Sequence, residues 1–179
     1  MSTTASAFFY GTLMHPTILK QIIQNEATHL VYCPAILLNY TRHKVKDVDY
    51  PGIIPESKGK TLFSRELSQD ERSVRGTLVM GLTESDIEFL DYFEGDEYKR
   101  VEVDIHPLAP SASISTHSEE DLDLVLLHST PLPPTPELAS PFKAQTYVFL
   151  NVAQLEPELW SFEDFVKENA YKWFDYESD

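Results

Sequence analysis

The stretch T-E-S-D-I-E-F-L-D-Y-F-E-G-D-E-Y-K-R-V-E-V-D-I, residues 83–105, changes its period halfway along and so decides the fold class. Thr83, Glu84, Ser85 and Asp86 form a variant capping box that starts a helix, with Ile87, Leu90 and the Phe89/Phe93 pair as its apolar stripe. Gly95 is the natural stop, because glycine takes the left-handed conformation that ends helices. Beyond it, Val101, Val103 and Ile105 alternate with Arg100, Glu102 and Asp104, the mark of a strand with one buried and one wet face. Around this passage short strands dominate the chain, with two or three helices and no strand-helix rhythm, which favours α+β over a doubly wound fold.

Working outward, Ala7–Tyr10 is an apolar run ended by Gly11 and reads as a buried first strand. A turn through Thr12 to His15 leads to Pro16, whose fixed φ suits the first position of a helix bearing Ile18, Leu19, Ile22 and Ile23. Ala35–Val45 reads as one strand, Tyr50–Pro55 as a turn-flanked extended piece, and Val74–Leu82 as a strand. Gly76 inside that last strand marks a bulge or the close approach of another backbone. Lys143–Leu150 is expected to close the sheet, and Ser161 to cap a final helix at about 161–174. The polar stretches at about 57–72 and 106–142 read as surface insertions. The second holds seven of the twelve prolines, with Leu122–Leu127 its only strand-like run. With no strand-helix alternation, the reading is one α+β domain over residues 1–179, built around an antiparallel or barrel-like sheet.

Charge narrows the function. The 179 residues carry a formal net charge of -15, unevenly spread: 14 acids face 11 bases up to residue 100, and 15 face 3 beyond it. So acidic a chain repels phosphate backbones and anionic lipid, so neither nucleic acid nor membrane is an expected partner. A lone cysteine, Cys33, allows no internal disulfide, and the first six residues lack the basic start of a signal peptide. No run approaches the roughly 20 apolar residues that span a bilayer. The expected location is cytoplasmic.

Chemistry has few places to sit. The histidines at 15, 29, 43, 106, 117 and 128 show no ligand spacing, and Cys33 lies in an apolar run, so neither a metal site nor a thiol nucleophile is expected. No glycine-rich phosphate loop is present. Two features remain. Tyr10-Gly11-Thr12-Leu13-Met14-His15 is a glycine turn from strand to helix, able to offer backbone N–H groups to an anion; as a turn alone it is commonplace. Glu94 ends a helix among Tyr92, Phe93 and Tyr98, where desolvation and an unfavourable helix dipole would raise its pKa toward that of a general base. On spacing alone it reads as one more solvated acid among 29 acidic residues.

Together these features resemble the gamma-glutamylcyclotransferase-like family, including its avirulence-induced-gene-like and gamma-glutamylamine cyclotransferase-like branch. The matching residues are F-F-Y-G-T-L-M-H-P at 8–16, Y-P-G-I-I-P at 50–55, V-R-G-T-L at 74–78 and L-D-Y-F-E-G-D-E-Y-K-R-V-E-V at 90–103, in the family's order. The resemblance implies a small mixed, mainly antiparallel β-barrel flanked by helices. It implies an acyltransferase that cyclises a gamma-glutamyl group to 5-oxoproline, releasing an amine or amino acid, without cofactor or metal. It places the catalytic base at Glu94 and the substrate loop at Tyr10, Gly11, Thr12, Leu13, Met14 and His15. Tyr98, Arg100, Pro51 and Gly52 become supporting residues, Arg100 by pairing with a carboxylate near the barrel mouth and Pro51 and Gly52 by shaping the cavity wall. The partner expected is a small gamma-glutamyl donor: glutathione, another gamma-glutamyl peptide, a gamma-glutamyl amine or isopeptide-linked gamma-glutamyl-lysine. The sequence assigns no oligomeric state. The alternatives are a binding domain that keeps the fold without the chemistry and an interaction platform built on P-L-P-P-T-P.

Overall fold

The computed structural model of the chain describes residues 4–14, 16–48, 50–108, 112–113, 137–161 and 164. In chain order these form strand β1 (Ala5–Phe9), helix α1 (Pro16–Ile23), and strands β2 (Val31–Leu38), β3 (Tyr40–Val45) and β4 (Pro51–Pro55). Helix α2 (Glu56–Gly59), strand β5 (Ser73–Leu82) and helix α3 (Glu84–Glu94) follow. The remaining strands are β6 (Tyr98–Pro107), β7 (Ala112–Ser113), β8 (Phe142–Phe149) and β9 (Leu155–Leu159).

Strand β5 pairs antiparallel along both edges, with β1 on one side and β2 on the other. From β2 the ladder continues antiparallel to β6 and then β8. A parallel contact between β8 and β1 completes the circuit, giving the mixed, mainly antiparallel barrel that the sequence led us to expect. That last seam is short, with Ala7 opposite Gln145 as its ladder position. Two buried side chains reinforce it: Thr146 Oγ1 donates to Phe8 O at 3.0 Å, and the Tyr10 hydroxyl donates to Tyr147 O.

The apolar run of β1 is buried on both faces, which is why it does not alternate. Phe8 and Tyr10 join Cys33, Ala35, Leu78, Val103 and Ile105 in a core drawn almost wholly from strands. Ala7 and Phe9 point the other way and pack with Ile18, Leu19 and Ile23 of α1 and Leu90 of α3. Cys33 is buried there as a small hydrophobe. The α3 start follows the capping expectation: Thr83 accepts from Asp86 N, and Asp86 accepts from Thr83 N. Asp86 also takes hydrogen bonds from Asn25 at 2.9 Å and pairs with His29 Nε2 at 2.7 Å, which ties α3 to the connection after α1. Gly95 ends the helix at φ 71°.

Several expectations are corrected. Ala35–Val45 is not one strand: Asn39, at φ 66°, turns the chain out of the barrel and into a second sheet of order β4-β3-β9. Asparagine tolerates that left-handed conformation better than most residues. Phe89, expected in the α3 stripe, is exposed, while Leu90 is fully buried. The 57–72 stretch is not wholly peripheral, because Gly59 of α2 is buried against the Thr41 side chain of β3. Strand β9 was not expected; its sequence L-E-P-E-L is acidic and carries Pro157, which only an edge strand accepts. Ser161 Oγ does accept from Asp164 N at 3.4 Å, but the rest of the expected terminal helix lies outside the described residues, as do His15 and Leu122–Leu127.

Gly76 is where the tight packing of the barrel is most exacting. A Cβ added there would lie 2.2 Å from Phe9 O and 2.7 Å from the Phe8 ring, so the glycine marks the backbone approach read from the sequence. Gly76→Ala is expected to lower stability in urea denaturation by about 1–3 kcal/mol, or to prevent folding, since neither the ladder nor the buried ring can yield freely. A variant as stable as wild type would show that the barrel wall is looser than this.

Candidate active site

Three segments meet at one end of the barrel. The first is the exit of β1, where Tyr10, Gly11 and Leu13 turn toward α1 through a short 3-10 segment, Thr12–Met14, closed by Met14 N donating to Gly11 O at 3.0 Å. The second is the end of α3 and the tight turn that follows, which carry Phe93, Glu94, Glu97 and Tyr98. The third is the approach to β4, with Tyr50 and Pro51. Together with Phe8, Phe9 and Tyr147 they enclose a cavity of about 120 Å³. One water needs only about 10–15 Å³ of such space, so the cavity has room for a small organic group.

The walls are aromatic and their polar tips are tethered. The Tyr98 hydroxyl donates to Pro51 O at 2.7 Å, and its ring meets Phe149 edge-on at 5.2 Å. Tyr50 donates to Glu97 Oε1 at 2.9 Å. Tyr147 donates to Asp91 Oδ1 at 2.8 Å, and Arg100 pairs with the other oxygen of Asp91 at 3.2 Å. Burial lifts the phenols of Tyr10, Tyr98 and Tyr147 far above their usual range, so each stays a neutral donor fixed to an acceptor.

Glu94 is the ionisable group that this enclosure changes most usefully. As the last residue of α3 it is partly buried, its carboxyl among the cavity rings. Its pKa is pushed up to about 8, first by desolvation and then by the neighbouring carboxylates of Asp91 and Glu97. The sequence reading anticipated the desolvation but not the two acids. A carboxyl poised at that pKa exchanges protons readily near neutrality, the property wanted in a general base.

The expected site residues fall into groups. Tyr10, Gly11, Leu13, Pro51, Glu94 and Tyr98 line the cavity. Thr12 contributes its backbone to the turn, and Met14 is buried in the helix-side core, away from the cavity lining. Gly52 also stands behind the wall: a Cβ there would strike the Phe149 ring at 2.8 Å. Gly11 does the same for Pro51, whose Cδ would lie 2.8 Å from an added Cβ, so the loop and β4 pack without a gap. Arg100 sits one partner away, on Asp91. Of the aromatics expected around Glu94, Phe93 and Tyr98 line the cavity while Tyr92 is exposed, and missed from the sequence were Phe8, Phe9, Tyr50, Glu97 and Tyr147. For Glu97, three residues past Glu94, chain proximity was the available signal. Among the described residues, no group of three or more His, Cys, Asp or Glu is arranged to hold a metal ion, and no helix is long and apolar enough to cross a membrane.

Comparison with known proteins gives this geometry a context. Protein AIG2 C of Arabidopsis thaliana is 28% identical over 100 residues, 56% of this chain and 51% of its own length. AIG2-like protein B of the same plant is 33% identical over 98 residues, 55% and 48% of the two chains. The chain thus spans about half the length of these relatives. Among solved structures, an Arabidopsis thaliana protein studied in solution superposes with a TM-score of 0.56 at 22% identity, covering 98% of this chain and 82% of that one. A yeast gamma glutamyl cyclotransferase specific to glutathione gives 0.53 at 15% identity, with 93% and 78% covered. At such identities the superpositions speak for the fold alone. The model of the family described as gamma-glutamyl cyclotransferase, AIG2-like, matches residues 7–165, and the chain belongs to that family.

Proposed function

We propose that this protein cyclises a gamma-glutamyl donor to 5-oxoproline and releases the amine that the glutamyl group carried, with Glu94 as the general base. The observation that carries the reading is the desolvated carboxyl of Glu94 at the wall of an aromatic cavity. Cyclisation asks the donor's own α-amine to attack its γ-carbonyl. An α-ammonium has a pKa near 8 and an ordinary glutamate one near 4.3, a mismatch of about 5 kcal/mol for proton transfer. At about 8, Glu94 removes most of that mismatch.

The steps balance within donor and site. Glu94 takes a proton from the α-ammonium, and the freed amine attacks the γ-carbon. A carbon–nitrogen bond forms as the carbonyl electrons move to oxygen. The tetrahedral carbon then restores its double bond and breaks the bond to the leaving nitrogen. That nitrogen takes the proton from Glu94, the ring nitrogen returns its second proton to Glu94, and the released amine takes this last proton directly or through solvent. Backbone N–H groups of the Gly11–Leu13 turn are suited to the donor's α-carboxylate or the developing oxyanion, and folding the donor onto itself supplies the proximity advantage. No external co-reactant enters the sequence.

Glu94→Gln should keep the fold and reduce 5-oxoproline release by a factor of about 10² to 10⁴, the usual worth of a positioned base. The assay is a panel of glutathione, other gamma-glutamyl peptides, gamma-glutamyl amines and gamma-glutamyl-lysine. Undiminished turnover in the variant would remove Glu94 from the mechanism, and binding without product from every donor would favour the non-catalytic alternative.

Acid–base behaviour gives two further tests. In wild type, kcat/KM is expected to rise with pH toward about 8 as Glu94 ionises, and to fall above it as the donor's α-ammonium, itself titrating near 8, is lost. A profile flat from pH 6 to 9 would contradict the assignment. Stability should move the other way. Unfolded, the side chain titrates near 4.3, whereas in the folded chain it titrates near 8. Between those values the folded state holds a proton that the unfolded state has lost, so stability falls as pH rises. Glu94→Gln lacks this linkage, and its melting temperature should gain on that of wild type from pH 5 to pH 8. A constant difference across the range would show that Glu94 is not desolvated.

A further inference from the structure

Arg42 of β3 places a guanidinium against the back of the candidate loop. Its Nη1 donates to Tyr10 O and to Arg75 O, each at 2.8 Å, and its charged plane lies 5.1 Å from the centre of the Trp160 ring. Its Nε is buried without a hydrogen-bond partner among the described residues. The ion pairs among those residues do not include it, and what its charge meets there are carbonyl dipoles and a π face. Burial pulls its pKa down to about 10, which leaves it cationic at neutral pH.

A half-buried cation with no carboxylate partner among the described residues is costly, and an apolar side chain of similar volume would fill the place at lower cost. The arrangement has a local effect on the cavity. Arg42 is absent from the lining, whereas Tyr10 and Gly11 belong to it. The peptide joining them is trans, so the Gly11 N–H points away from the Tyr10 carbonyl that Arg42 holds. Among the described residues no backbone carbonyl accepts from that N–H. A cation bonded to the oxygen of a peptide draws electrons through it and strengthens the N–H as a donor, as in any cooperative hydrogen-bond chain.

We propose that Arg42 is a positioning residue of the site, acting through the Tyr10–Gly11 peptide to aim and polarise the Gly11 N–H that receives the donor's α-carboxylate. The inference rests on the reading of the cavity as a gamma-glutamyl site, and adds to it the group that selects for an α-carboxylate. Arg42 touches no reacting atom. Its contribution lies in binding, so its loss raises KM and leaves kcat within a few-fold.

The test compares 5-oxoproline with 2-pyrrolidinone, the same lactam without its carboxylate, titrated by NMR into wild type, Arg42→Met and Arg42→Lys. Arg42→Met should weaken 5-oxoproline by about tenfold or more, the scale of one charge-assisted hydrogen bond, and leave 2-pyrrolidinone within about twofold. Arg42→Lys, which keeps the charge but not the geometry, should fall between, and it carries the comparison if the Met variant does not fold. Equal weakening of both lactams, or of neither, overturns the proposal and assigns Arg42 a purely structural part. Wild type that binds 5-oxoproline yet forms none from any donor removes the catalytic reading while the selective effect of Arg42 still stands. Wild type that binds neither lactam overturns both.

Discussion

Closure of the barrel is the constraint on which the rest depends. Four of its five junctions are antiparallel ladders, and the fifth is the parallel seam between β1 and β8, with Ala7 opposite Gln145. So short a ladder holds little on its own, since parallel pairing is also the weaker kind per residue. The seam is instead held by side chains that reach backbone oxygens, Thr146 to Phe8 and Tyr10 to Tyr147. Both acceptors are carbonyls of buried residues. Because Phe8, Tyr10 and Tyr147 also line the cavity, the bonds that shut the barrel build the wall of the site.

The same economy governs the electrostatics. In the described residues around the cavity, Asp91 accepts from Tyr147 and pairs with Arg100 on the rim, while its charge, with that of Glu97, adds to the desolvation of Glu94. A cluster of three acids would be self-defeating if all were equally solvated. Here two are held by partners at the edge and one is drawn inside, where burial raises the pKa of Glu94. The net charge of -15 therefore does not describe the site; the arrangement of a few carboxylates does.

Much of this was legible from residue order, and the parts that were not share a physical cause. The helix from Thr83 and the strand of Val101, Val103 and Ile105 were readable because capping and alternation are local properties. Gly76 was readable because a glycine inside a strand needs a reason. The break at Asn39 was not, since an apolar run passing into an alternating one looks continuous until a single positive φ separates them. Strand β9 could not be seen either: L-E-P-E-L has no strand character of its own and is extended because β3 offers it an edge. At the candidate site, Glu94 and the glycine turn were visible as motif, whereas Tyr147 in the wall and Arg42 behind it, with the part proposed for it, were not. Their relevance arises from the pairing of β8 with β6 and from the sheet switch after β2, neither of which leaves a trace beside the residues concerned.

The seam also has a consequence for how the chain reaches this state. Tyr10 and Tyr147 are 137 positions apart, and Thr146 and Phe8 138, so closure joins segments near opposite ends of the sequence. Contacts of that separation give a high contact order, and loop-closure entropy must be met before they return any stabilisation. During synthesis the first strand can pair with β5 early, but its other edge stays open until residues 142–149 have emerged. An unpaired edge as apolar as Ala7–Phe9 is a template for association with other chains. The last strand of the barrel thus covers the apolar edge of the first, and the cavity wall shared by Tyr10 and Tyr147 is complete only when the two meet.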